Sequence, residues 1–125
     1  MNKFSEPPEG IIITISAGML KEKGLIAWTR EFLHTMQTEN WTYWMRVGAR
    51  PTMDKYLLYV YLCIGNRIRY RALYAGSEGP GEKVFLNGTS LAARAWIILS
   101  GPVEKPPFPI EMKGFRGFRY TQKLF

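Results

Sequence analysis

The stretch YLLYVYLCIGNRIRYRALY, residues 56–74, decides the fold. Its first half, residues 56–64, is dense in Leu, Tyr and Val. Those side chains suit a pleated, buried strand, and the run is about half of what a membrane-spanning helix needs. Gly65-Asn66 is a turn pair, so residues 67–74 are predicted to fold back as the second strand of a hairpin. Strand side chains alternate between faces, which puts Arg67, Arg69 and Arg71 on one side and Ile68, Tyr70 and Ala72 on the other. Cations repeating at roughly 6.5–7 Å along a strand can either track phosphates or form a solvated edge.

Around this hairpin the chain punctuates itself clearly. Residues 10–16, GIIITIS, form a β-branched run predicted to be a first strand buried on both faces. Leu25, Trp28, Phe32, Leu33 and Met36 recur near helical spacing after Gly24, predicting a helix over 25–37. Residues 41–47, WTYWMRV, alternate as a strand, and residues 48–51 form a loop. After the hairpin comes a glycine-rich loop over 75–82. Residues 87–90 are predicted to cap a short helical turn over 91–94, before a strand over 95–100. Four prolines in 101–109 exclude regular helix and interior strand there. Residues 114–120, GFRGFRY, supply the last strand. The resulting class is α+β: a small, mostly antiparallel β-barrel with one main helix near the N-terminus, a single domain over 1–125 whose residues 1–9 form a flexible arm.

Composition bounds the function. At 125 residues and 46% hydrophobic content the chain has room for one core. No apolar leader or membrane span is read, and the single Cys63 cannot form an internal disulfide, so a reduced, cytoplasmic setting is expected. The net charge of +7 is uneven. Residues 1–42 hold four Lys/Arg against five Glu, whereas residues 43–125 hold thirteen Lys/Arg against five acids, and most of those thirteen are arginine. Arginine presents a planar fork suited to phosphates, so a polyanionic partner is expected.

The order of elements, the aromatic segment from Trp41 to Arg46, and Arg50-Pro51 ahead of the strand with Tyr59-Val-Tyr61 together resemble the PUA-like superfamily. Its ASCH and EVE domains are the nearest branches. Arg46 stands where the ASCH Glu-x-Arg motif has its arginine, while Trp44 replaces the glutamate. The resemblance implies a pseudobarrel that binds RNA or modified bases across a cleft. Some ASCH domains are hydrolases relying on that glutamate and a lysine, so its replacement counts against carrying the activity over.

Candidate contacts follow from these readings. Trp41 and Tyr43 should share one strand face, with Trp44 and Arg46 on the other. One ring set belongs to the core, and the other is placed to stack on a base, with Arg46 and Arg50 at the rim. In GFRGFRY neither face is purely apolar, so Gly117 is predicted to make a bulge that turns Phe115 and Phe118 inward. Arg116 and Arg119 would then reach outward beside the Arg67 strand and join Arg67, Arg69 and Arg71 as phosphate contacts. The glycine-rich loop lacks a P-loop ending, and one histidine with one cysteine makes no metal site, so no cofactor is expected. The expected partner is RNA, or single-stranded or modified nucleic acid, with no membrane. Two alternatives stand beside it: a hydrolase acting on a nucleoside or RNA, needing for example Glu111 opposite Lys55, and a protein-interaction module.

Overall fold

Ile11, Ile12 and Ile13 follow one another in sequence and are all buried, so the strand that carries them must be covered on both faces. A computed structural model describes residues 6–15, 24–38, 42–84, 88 and 90–125. In chain order it contains β1 (Gly10–Thr14), α1 (Leu25–Thr38), β2 (Thr42–Val47), a 3-10 turn (Asp54–Tyr56), β3 (Tyr59–Cys63) and β4 (Ile68–Glu78). There follow β5 (Gly81–Val84), β6 (Ser90–Ala93), β7 (Ala95–Glu104) and β8 (Phe118–Thr121). The protein is α+β, with one helix among the described residues and a mostly antiparallel sheet. Six strands run in the order β2-β7-β4-β3-β1-β8, and β5 pairs with β6 as a separate ribbon. The β1–β3 pair is the parallel exception.

The small β-barrel that was expected is not closed among the described residues, because β2 and β8 end the sheet without pairing to each other. The sheet nevertheless curls. Laid flat, four strand spacings would put β1 about 19 Å from β2, yet Ile11 and Ile13 share one core with Met45 and Val47. That core is closed by α1, whose Trp28, Phe32 and Met36 recur every fourth residue and are buried. Trp28 stacks on Phe32 at 5.3 Å, and Phe32 meets Tyr43 edge-on at 4.9 Å. Each such side chain removed from water contributes about 1.5–3 kcal/mol.

The opposite face of the central strands has its own cover. Ile12, Tyr61, Cys63 and Ile68 lie under Ile110, Met112, Phe115, Leu124 and Phe125, all from the last part of the chain. Tyr61 Oη accepts a hydrogen bond from the Leu124 amide at 3.0 Å, and Cys63 Sγ donates to the Met112 carbonyl at 3.3 Å. Burial pushes the Cys63 thiol above its ordinary pKa.

Several local expectations are corrected. Strict alternation breaks at the start of β4, where Tyr70 pairs with Leu62 but Ile68 pairs with Cys63. The bulge frees Ile68 to join Cys63 in the second core, and Arg69 becomes the extra residue. The helical turn expected over 91–94 is not found: residues 90–93 form β6, because pairing with β5 overrides the helical preference of Leu-Ala-Ala. The strand expected to stop at residue 100 continues as β7 to Glu104 through a cis Gly101–Pro102 bond. The last register pair with β2 is Thr42–Ser100, so Pro102 lies beyond that ladder and its missing amide breaks no pairing there. Gly117, at φ 73°, does re-aim the chain, but not as expected. Phe118 packs on the helix-side core and Phe115 on the opposite one. Nor does β8 lie beside β4, because β3 and β1 intervene. Within the stretch expected as a flexible arm, Pro8 is fully buried, and the Glu9 amide and carbonyl bond to Thr121 and Leu58.

The parallel pair is tightest where Gly10 faces Tyr59. A Cβ at residue 10 would sit 2.8 Å from the Tyr59 carbonyl oxygen, whereas at Gly48 it would meet nothing within 4 Å. Gly10→Ala should therefore destabilise the protein by about 1–3 kcal/mol in urea unfolding. Gly48→Ala should stay within about 0.5 kcal/mol.

Candidate nucleic-acid interface

Two clefts hold four of the nine residues that sequence singled out, Trp44 and Arg46 in one and Arg67 and Arg69 in the other. The larger, about 560 Å³, runs along β2 and is bounded by the end of β1, by Trp28, by Leu91–Arg94 and by Gly117. Tyr43 turns into the helix-side core, as alternation requires, while Trp44 and Arg46 take the other face. Trp41 lies outside the described residues. Arg46 pairs in register with Trp96, a fully buried ring whose Nε1 donates to the Gly81 carbonyl at 3.1 Å and so fastens the β5–β6 ribbon over it. Arg46 and Arg94 are both exposed and border the same cleft. An anion entering it meets two guanidinium groups above aromatic walls.

Trp44 is half-buried, with the Lys83 ammonium 5.2 Å from its ring centre. Lys83 pairs with Glu78 at 2.7 Å and holds that carboxyl below the usual range. The Trp44 indole N–H adds a weaker pull in the same direction, but from outside normal hydrogen-bond geometry, so the buried Nε1 is left without a partner. Burial, and less so Glu31, pushes the Tyr43 hydroxyl up to about 12.

The smaller cleft, about 360 Å³, lies where β4 begins and the proline-rich segment follows β7. Arg67, Arg69 and Lys105 line it with Tyr70 and Phe108. Arg69 is held through Nε by the Ile64 carbonyl at 3.2 Å. Arg67 approaches Glu111 at 3.9 Å with both side chains exposed, a pair worth little in water. Phe108 keeps 53% of its surface in solvent among Pro106, Pro107 and Pro109, which limit its backbone freedom.

The remaining candidates are engaged elsewhere. Arg71 lies between the Tyr59 and Phe125 rings, 4.5 and 4.4 Å from their centres. Its Nη2 is 2.7 Å from Glu104 Oε1, its Nη1 donates to the Phe125 backbone oxygen, and its side chain is only 12% exposed. It is a clamp for the second core. Arg50 donates to Ser77 Oγ at 3.0 Å, Ser77 leans on Asp54 at 3.4 Å, and Tyr74 donates to the same carboxylate. This network pins the loop before β3 to β4. Arg119 covers the Phe115 ring at 4.2 Å and stays exposed, as does Arg116 beside Gly117.

Sequence reading missed Arg94, Lys105 and Phe108. Arg94 was hidden by the helical look of its neighbours. For Phe108 a signal existed, since a large ring flanked by prolines belongs to no regular core element. The carboxylate and lysine considered for hydrolysis are not joined: Glu111 faces Arg67, and Lys55 sits over the Tyr56 ring at 5.1 Å. Among the described residues, no group of three or more His, Cys, Asp and Glu side chains suits a metal ion, and no helix is long and apolar enough to cross a membrane. No family model, curated protein or solved structure matches the chain.

The two kinds of arginine should separate in stability measurements. Arg71→Ala should cost about 1–3 kcal/mol in urea unfolding, mainly through the lost contacts with the Tyr59 and Phe125 rings, with a smaller share from the partly exposed pair with Glu104. Arg67→Ala should change stability by no more than about 0.5 kcal/mol.

Tyr43 gives an alkaline signature. Its neutral form is favoured by folding, so the unfolded state releases the proton first as pH rises. The stabilisation is complete below the unfolded value near 10 and should drain away as pH climbs through about 12. Unfolding free energies measured across that window should fall more steeply for the parent than for Tyr43→Phe.

Proposed function

We propose that the protein is a nucleic-acid-binding module of PUA-like type, acting in the cytoplasm on RNA or on single-stranded or modified nucleic acid. The observation that carries the reading is the cleft along β2, where Trp44 and buried rings lie beneath the exposed Arg46 and Arg94. A volume of about 560 Å³ admits one unstacked base with its sugar and phosphate. The base would rest against the Trp44 side of the cleft, and the guanidinium groups would hold the flanking phosphates through paired hydrogen bonds. Because β2 is an outermost strand, its backbone amides and carbonyls on the open side are available to read a base edge. One helix packed on a curled, mostly antiparallel sheet is in keeping with a PUA-like pseudobarrel. The charge imbalance toward residues 43–125 favours the same class of partner.

Tryptophan fluorescence titrated with single-stranded RNA and DNA, at about 50 and 200 mM salt, tests this directly. Quenching should appear at low salt and weaken at high salt, and the pair Arg46→Glu with Arg94→Glu should reduce affinity at least tenfold. Absence of any response at low salt would sink the reading, leaving a protein partner or a nucleoside-directed enzyme.

A further inference from the structure

The two clefts are joined by one short piece of chain. At residue 111 it pairs with Arg67, the residue that opens the smaller cleft. The Met112 amide then bonds to the Asn66 carbonyl, the Gly114 amide to Asn66 Oδ1 at 3.0 Å, and the Phe115 amide to Thr14 Oγ1 at 3.2 Å. Gly117 and Thr14 both border the larger cleft. Segment 111–117 thus runs from one cleft to the other, tied down at the end of β1 and at the β3–β4 turn. Its two charged residues other than Glu111, Lys113 and Arg116, are both exposed.

We infer that a bound single strand leaves the base cleft along segment 111–117 and enters the Arg67–Arg69–Lys105 cleft, giving one continuous footprint of about four to five nucleotides. The inference rests on the base-cleft reading and extends it from one nucleotide to a strand. Six residue steps cover at most about 20 Å. Phosphates of an unstacked, extended strand lie roughly 6–7 Å apart, about twice the stacked rise of 3.4 Å. The segment therefore spans at most about three phosphate intervals, with Arg116 and Lys113 on the way and the smaller cleft at the far end. There Phe108 offers an exposed ring, with little backbone freedom to lose, for the terminal base to stack on. Glu111 is the one acid on this route, and its loose pairing with Arg67 is readily exchanged for a phosphate.

A length series tests the path. Dinucleotides to octanucleotides of one unstructured sequence, as RNA and as DNA, are titrated against the full chain while salt is varied. Affinity should climb until about five nucleotides and then level, ending at least tenfold above the dinucleotide. With a 5′-phosphate on every strand, the plot of log affinity against log salt should steepen from about −1.4 for the two phosphates of the dinucleotide to about −3.5 for the five of the pentanucleotide. Lys113→Glu should lower octanucleotide affinity at least tenfold more than dinucleotide affinity, and an unchanged urea-unfolding midpoint shows that the variant is folded. Phe108→Ala should weaken only the longer strands, by about tenfold, and Glu111→Gln should tighten them. A dinucleotide that binds without gain on lengthening overturns the path and leaves the base cleft standing. So do variants that weaken every length alike. If no strand of any length binds, the base cleft fails and the path with it.

Discussion

Three consecutive isoleucines buried in β1 require cover on both faces of the strand, and the ladder it forms with β3 imposes that condition on everything else. One face is closed by α1 and by the sheet curling back on itself. The other is closed by the last twenty residues or so, which carry Ile110, Met112, Phe115, Leu124 and Phe125 across it. Arg71 fixes that cover by spanning Glu104, Tyr59 and Phe125 at once. To reach its position the covering chain must pass the end of β1 and the β3–β4 turn. That passage is why Lys113 and Arg116 lie between the two clefts.

Much of this was legible because burial leaves a plain mark in sequence. Unbroken GIII meant a strand covered twice, Trp28–Phe32–Met36 meant a helix face, and the run before Gly65-Asn66 meant a hairpin. What escaped was long-range. Nothing within RIRYR announces a bulge, because its cause is Ile68 being drawn to Cys63 on a neighbouring strand. Leu91-Ala-Ala looks helical until a second strand pairs with it, and the open barrel depends on β2 and β8 never meeting. Gly117 was expected to make a bulge that turns both phenylalanines inward. Local alternation alone did not show that it sends the two phenylalanines into different cores.

The same division runs through the site. Trp44 and Arg46 are found together because neighbouring residues on one strand keep a known geometry. Arginines scattered over other elements carry no such guarantee. Arg50 serves a loop through Ser77, Arg71 serves the second core, and only Arg67 and Arg69 of the alternating trio border a cleft. A guanidinium group reads the same in sequence whether it meets Glu104 or solvent. Lys105 and Phe108 gain their interest only once the proline-rich segment is seen folded beside the start of β4.

The position of β1 between β3 and β8 also governs how the protein is made. A ribosome releases the isoleucine strand before either of its partners, residues 59–63 and 118–121. Between those events one side of β1 is an open, strongly apolar edge, the kind of surface that recruits other chains. Contacts separated by more than a hundred residues also make closure slow. A strand synthesised before both of its partners is thus among the last to be enclosed, and its second edge stays open until β8 emerges.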